Sequence, residues 1–360
     1  MIVHSDLDFR VAFSDGNQIV NPATLFVNGL GACDTIPTMK EAGVRIVFMG
    51  TSEFGVAALE QLLRSEYDVA AVYTQPDKPA GRGRMPSPSP VKRAALEHGL
   101  EIRQPLTLRD PSEVELLGAL EPDAIVVSAY GQLLPQRVLD IPEFGCLNIH
   151  PSLLPRYRGA TPIASSILEG DDRTGVTIML LDAGMDTGPT LSQLAVDVEP
   201  QDTTQSLSVK LAHAGARLLV ETLPQWFGRA LTPRPQEDSS ASYTKTFAKE
   251  DGIIDWSRGA TEIWRRVRAF QPWPGCYTWW NGKVLKILEA VPLADSHVLE
   301  PGRVVAMPAG QPTVVGVGTG DGTLGLVTIQ LEGKRAVSAE EFQRGQREFI
   351  GSMLGGKATS

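Results

Sequence analysis

The sequence predicts an α/β fold built on a mostly parallel sheet and followed by a smaller antiparallel β domain. Three observations carry that expectation. Short apolar runs alternate with segments of helical period from residue 45 to about 182, a polar, proline-rich stretch breaks the pattern at 232–242, and the residues beyond it are strand-length runs joined by turn signals. Strands that alternate with helices form βαβ units, whose parallel sheet is covered on both faces.

The elements follow in order. Arg45–Met49 is an apolar run ending at Gly50 and reads as a buried strand. Helical spacing from Val56 to Leu63 precedes a second strand at Val69–Tyr73. Val91–His98 has helical period with Gly99 as its stop, and Leu116–Leu120 is a further helical stretch. Asp123–Ala129, Cys146–Ile149 and Thr177–Asp182 are the next apolar runs. A helix is expected from about Thr203 to Phe227, N-capped by Asp202 and interrupted at Pro224. Residues 232–242 have the composition of a linker. Beyond them a helix at Ala260–Phe270 precedes a hairpin whose turn is Asn281-Gly282, a strong hairpin signal. Strands at Pro301–Met307 and on either side of Gly318–Gly322, with a terminal helix from Ser338, complete a small β-barrel.

The 360 residues, 42% of them hydrophobic, are enough for two domains with real cores. The expected division is an extension at 1–43, a first domain at 44–231, a linker at 232–242, a second domain at 243–351 and a tail at 352–360. Asp6, Asp8, Asp15 and Asp34 against a single Arg10 make residues 1–38 unlike a transit or signal peptide. They are expected either to lie outside the fold or to add a strand or two. Cys33, Cys146 and Cys276 are too widely spaced for a disulfide framework or a zinc site, which fits a reduced, cytoplasmic setting. No apolar run approaches the ~18–20 residues of a membrane helix.

The net charge of −9, averaged over the chain, argues against a nucleic-acid partner. Its distribution reverses the argument. Residues 1–240 carry −11, whereas 241–360 carry +2. Within the acidic part, Pro76–Arg93 holds five basic residues, Lys78, Arg82, Arg84, Lys92 and Arg93, against Asp77. That segment is a long Pro- and Gly-rich loop, and glycines on both sides of Arg82 let its backbone approach a polyanion. The competing reading is a solvated surface loop.

Ligands of such sheets sit beyond the carboxyl ends of the strands. The first strand end, Gly50-Thr-Ser-Glu-Phe-Gly55, lacks the second glycine of a dinucleotide fingerprint and has no GK[ST], so neither a Rossmann cofactor turn nor a P-loop is present. The fourth, Cys146-Leu-Asn-Ile-His150, is the most informative. Residues two apart on a strand share a face, so Asn148 and His150 project together. An amide donor beside an imidazole can hold a developing oxyanion and handle its proton. A lone histidine is more often a packed or capping group, but none of His4, His98, His213 and His297 has such a neighbour. Downstream, an apolar strand runs into a glycine-rich turn carrying Asp182 and Asp186. Either carboxylate can orient the imidazole, and spacing does not choose between them.

These motifs together resemble the methionyl-tRNA formyltransferase family. The resemblance runs from Val44 to about Gly351 through RIVFMGTSEFG, TQPDKPAGRG, SPVK, AYG, LNIHPSLLPRYRGATPI, TGVTIMLLDAGMDTG, IDWS and FQPWPG. It implies a Rossmann-like formyltransferase domain followed by an OB-like tRNA-binding domain. It implies transfer of a formyl group from 10-formyltetrahydrofolate, without a metal, to the α-amino group of initiator methionyl-tRNA. Asn148, His150 and Asp186 are the implied catalytic trio. Ser152, Leu153, Leu154 and Pro155 are implied along the folate, with the Ala129, Tyr130 and Gly131 turn nearby. Arg82 is implied at the acceptor stem. Pro151 stands where members often have glycine, and Met85–Pro90 replaces a more basic stretch.

With that chemistry, Asp186 is expected to keep His150 protonated, so that Asn148 and a charged imidazole hold the oxyanion. Arg84, Lys245, Lys249, Lys334 and Arg335 are further candidates for phosphate contact, with Arg265, Arg266 and Arg268; each alternatively is a solubilising charge. Trp256, Trp264, Trp273, Trp279 and Trp280 are expected to pack rather than stack on bases. A monomer without membrane contact is expected. A formyltransferase for a small amine, or a folate- or RNA-binding protein without catalysis, are the competing readings.

Overall fold

The computed structural model describes residues 43–80, 85–293 and 299–356. Arg82, Arg84 and residues 1–42 of the expected extension at 1–43 lie outside the described residues. Two large sheets organise the rest, beside two short two-stranded pairings.

The first sheet has seven strands in the order Thr190–Asp197, Arg173–Leu180, Cys146–His150, Ala124–Ser128, Arg45–Gly50, Asp68–Tyr73, Ile102–Arg103. The five from Cys146–His150 to Ile102–Arg103 pair in parallel. The last two in sequence, Arg173–Leu180 and Thr190–Asp197, run antiparallel at one edge. The sheet is therefore mostly parallel, as expected, with an antiparallel edge whose direction the apolar runs do not reveal.

Alternation along Arg45–Gly50 distributes its side chains between two cores. Ile46 and Phe48 join one, and Val47 and Met49 join the other. The first core lies under helices Glu53–Leu63 and Thr204–Phe227, which pack together. The second lies under Pro111–Gly118 and Gln136–Leu139. The chain moves outward from Arg45–Gly50 to Ile102–Arg103 and then returns to Ala124–Ser128 on the other side. That reversal is the switch point, at whose carboxyl end a crevice opens.

Several local expectations are corrected. Thr203, not Asp202, caps the long helix: its hydroxyl accepts the Ser206 N–H, and Ser206 returns the bond. The Asp202 carboxylate is instead buried among the Glu199 N–H, Ser206 Oγ and Lys210 Nζ, at 2.8, 2.8 and 2.7 Å. Pro224 does not interrupt the helix, which continues through it to Phe227. The stretch anticipated at Leu116–Leu120 is a helix at Pro111–Gly118, opened by Asp110 as cap and Pro111 at its first turn. A helix at Pro162–Glu169 was not anticipated, because its apolar residues follow directly on a turn motif.

The second sheet is antiparallel, with Cys276–Trp280, Lys283–Leu293, Thr323–Leu331, Val315–Gly318 and Val304–Ala306 in spatial order, and Val337–Ser338 added on Thr323–Leu331. Trp280 pairs with Lys283 across Asn281-Gly282, both at positive φ (48° and 74°), the hairpin turn that sequence requires. Trp256 and Trp280 are buried, with indole N–H bonds to Thr278 and Ser352. Among the described residues no helix is long and apolar enough to cross a membrane.

Candidate active site

A cleft of about 970 Å³ opens at the switch point. Its walls include Ser52, the Ala129–Gly131 turn, Asn148, His150 and the 182–186 loop, with Phe247 and Trp273 contributed from beyond the proline-rich stretch.

The turn after Ala124–Ser128 is built by backbone geometry. Ala129 (φ 49°) and Gly131 (φ 84°) are left-handed, and Thr51 fixes the turn by donating its N–H to Ala129 O (3.2 Å) and its hydroxyl to Tyr130 O (2.8 Å). Gly131 suits its position because only glycine enters that region at no steric cost.

Asn148 and His150 face the cleft from one strand, as their spacing predicts. Among the described residues the Asn148 side-chain amide has no hydrogen-bond partner, which leaves its N–H groups for a ligand. His150 is 4% exposed. Its Nε2 lies 3.1 Å from Tyr157 O. A carbonyl only accepts, so Nε2 carries the hydrogen of the neutral ring and Nδ1 is the basic atom. Nδ1 faces Asp186 Oδ2 at 3.7 Å.

The geometry separates the two aspartates that spacing left open. Asp182 Oδ1 accepts the Gly184 N–H at 3.0 Å and the Thr187 hydroxyl at 2.7 Å, so that carboxylate shapes its own loop. Asp186 Oδ2 accepts the Gly159 N–H at 2.8 Å and points to His150. Asp186 has φ 54°, a left-handed conformation that costs an L residue roughly 1–2 kcal/mol and persists only where its surroundings over-determine it.

The protonation state differs from expectation. Burial pushes the His150 pKa below its ordinary value, against the upward pull of Asp186 and the Tyr157 carbonyl. Desolvation penalises the charged ring more than one carboxylate at 3.7 Å rewards it. The resting imidazole is neutral, a base rather than a standing cation.

The segment after His150 is used structurally. Ser152 is fully buried and donates its hydroxyl to Arg156 O at 2.6 Å. Leu153 packs over Gly175, where a Cβ would come within 2.5 Å of it. Leu154 is buried, and Pro155 O accepts the Ser242 N–H at 3.3 Å. Thr177 Oγ1 donates to Ser152 O (2.7 Å) and accepts the Leu154 N–H (3.1 Å). None of these four residues is on the cleft wall, whereas Ala129, Tyr130 and Gly131 are.

Of the candidate phosphate contacts, Lys245, Lys249 and Lys334 are exposed. Arg335 is paired with Glu341 at 2.6 Å. Arg268 is buried over the Trp264 ring, with Nη1 donating to Asp202 O at 3.1 Å, and is a packing group rather than a phosphate ligand. Arg265 and Arg266 donate to Glu169 O and Asp251 O. Lys92, counted with the basic loop, is bonded to Asp77 (2.7 Å) and Gln104 (2.8 Å) and braces the base of that loop. Trp273 is 57% exposed and lines the cleft, contrary to the packing role expected for the tryptophans. Sequence reasoning also missed Phe247, Arg158 and Gln236. The first is aromatic at no telling spacing, Gln236 holds backbone carbonyls distant in sequence, and Arg158 holds the equally distant side chains of Gln236, Asp238 and Tyr243.

A switch-point cleft with an amide and an imidazole on one strand end, and a carboxylate behind the imidazole, belongs to a group transferase acting through an oxyanion. Residues 44–223 match the formyl transferase family and 247–347 match its formyl transferase C-terminal domain. The chain is 51% identical over 312 residues to a methionyl-tRNA formyltransferase of Dehalococcoides mccartyi, covering 87% of this chain and 99% of that one. It is 49% identical over 315 residues to that of Roseiflexus castenholzii, covering 87% and 99%. The protein belongs to the methionyl-tRNA formyltransferase family. HypX from Aquifex aeolicus, solved in complex with tetrahydrofolic acid, shares the fold at a TM-score of 0.59 and 17% identity, over 86% of this chain and 48% of that one.

Proposed function

We propose that the cleft transfers the formyl group of 10-formyltetrahydrofolate to the free α-amino group of initiator methionyl-tRNA, with Asn148, His150 and Asp186 as the catalytic residues. The observation that carries the reading is the alignment of His150 between Asn148 on its own strand and Asp186 behind it.

The nucleophile needs little activation. An α-amine titrates near ~7.7–8.0, so an appreciable neutral fraction exists at neutral pH. Its nitrogen bonds to the formyl carbon, and the carbonyl π pair moves to oxygen. The unpartnered Asn148 amide donates to that oxyanion. The new ammonium sheds a proton to the neutral His150, whose cation Asp186 then stabilises. As the carbon–N10 bond breaks, the pair returns one proton to N10. The products are N-formylmethionyl-tRNA and tetrahydrofolate, with no net proton consumed.

The folate is placed along Ala129, Tyr130 and Gly131, with Ser152–Pro155 behind the wall as support. Lys245, Lys249 and Lys334 are exposed cations for tRNA phosphates, joined by Arg82 and Arg84 of the basic loop. The free, buried thiols of Cys146 and Cys276 fit a reducing cytoplasm, and a monomer suffices for the site. Full-length similarity to methionyl-tRNA formyltransferases favours charged tRNA over a small amine such as an amino-sugar nucleotide. The test is formyl transfer to charged initiator beside charged elongator Met-tRNA. Transfer to the initiator species is expected; transfer to neither would overturn the reading.

A further inference from the structure

The proline-rich stretch 232–242 is bonded along the catalytic domain. Arg234 and Thr190 exchange backbone bonds of 2.9 and 2.8 Å. The Arg158 N–H donates to Ser242 O at 2.8 Å, and Tyr243–Thr244 pairs with Arg158–Gly159. Gln236 sits between these anchors. Its Nε2 donates to the carbonyls of Asp186 (2.8 Å) and Gly188 (2.7 Å). Its Oε1 accepts from Arg158 Nε at 3.0 Å, and Arg158 is only 1% exposed. Both donors of one amide are thus spent on the turn that carries Asp186.

We propose that Gln236 is a positioning residue, holding the 186–188 turn so that the Asp186 carboxylate faces His150. The inference rests on the reading of Asp186 and His150 as the catalytic pair. Asp186 is restrained at both ends: Gly159 holds its carboxylate, and Gln236 holds its carbonyl. Both restraints issue from one buried unit, because Gly159 follows Arg158 and Arg158 fixes the Gln236 oxygen. A left-handed backbone at a non-glycine residue persists when its surroundings over-determine it, and this pair of restraints does so. The segment between the two domains is therefore part of the catalytic geometry.

The test is Gln236→Met in the full chain, which keeps side-chain length and removes all three bonds. The expected result is a fall in kcat of about tenfold to a hundredfold, with KM for 10-formyltetrahydrofolate unchanged. In an Asp186→Asn background the same substitution is expected to cost nothing further, because it acts through Asp186. Gln236→Glu keeps the acceptor toward Arg158 and removes the donors, and is expected to lose kcat similarly should Gln236→Met not fold. Near-full kcat in either folded Gln236 variant, or an undiminished extra loss on top of Asp186→Asn, overturns the proposal while leaving the catalytic pair intact. Full kcat in Asp186→Asn overturns the pair itself, and the proposal with it.

Discussion

His150 Nδ1 faces Asp186 Oδ2 at 3.7 Å, while Nε2 of the same ring donates to the Tyr157 carbonyl at 3.1 Å. The ring is held at Nε2 and kept neutral by burial, so its basic atom is the one beside the carboxylate. A proton taken from the amine arrives where a counter-charge waits.

The pH behaviour follows. NMR titration of His150 is expected to give a pKa below the ordinary ~6.5, and Asp186→Asn is expected to lower it further by removing the first upward pull. A depressed histidine pKa means that the unfolded chain binds more protons between the two values. Its stabilising contribution is full above about 6.5 and is lost as the pH falls toward the folded pKa. Urea midpoints measured from pH 8 to pH 5 check this sign. A His150 pKa above 6.5 would contradict it.

Thr177 ties the turn after His150 to the neighbouring strand, accepting the Leu154 N–H and donating to Ser152 O. Thr177→Val keeps the shape and leaves both buried groups unpaired. Denaturant unfolding is expected to show a loss of about 1–3 kcal/mol at unchanged m-value.

The basic residues divide by what they already bind. Each of Lys245→Ala, Lys249→Ala and Lys334→Ala is expected to flatten the salt dependence of tRNA binding, by roughly 0.7–0.9 in the slope of log K against log salt per phosphate contact. Arg335→Ala, whose guanidinium is paired with Glu341, is expected to leave the slope unchanged. Arg268→Ala is expected to lower thermal stability, since it removes a buried group bonded to Asp202 O. Binding isotherms over a salt series and melting curves separate the three cases.

The sequence carries much of this fold because its signals are local. Ile46 to Met49 and Ala124 to Val127 are short continuous apolar runs closed by turn signals, the pattern of strands covered on both faces. Asn148 and His150 were legible for a similar reason: a period of two puts them on one face. What escaped depends on groups far apart in the chain. Spacing leaves Asp182 and Asp186 open, although the family resemblance points to Asp186, because the contact that separates them is the Gly159 N–H, 27 residues away. Gln236 was hidden within a composition typical of linkers, because its partners are backbone carbonyls 48 and 50 residues distant. The neutral state of His150 follows from burial, which a charge count does not contain. Lys92 and Arg335 show the same limit, since both count as free cations until their carboxylates are located.

The most direct test of the central claim is single-turnover formylation of methionyl-tRNA from 10-formyltetrahydrofolate, comparing the unaltered protein with Asn148→Ala and His150→Ala. The account predicts rapid formation of N-formylmethionyl-tRNA by the first. It predicts a loss of at least ~10²-fold in each variant, Asn148→Ala by removing the oxyanion donor and His150→Ala by removing the base, with tRNA affinity nearly unchanged. Near-full turnover in both variants would contradict it.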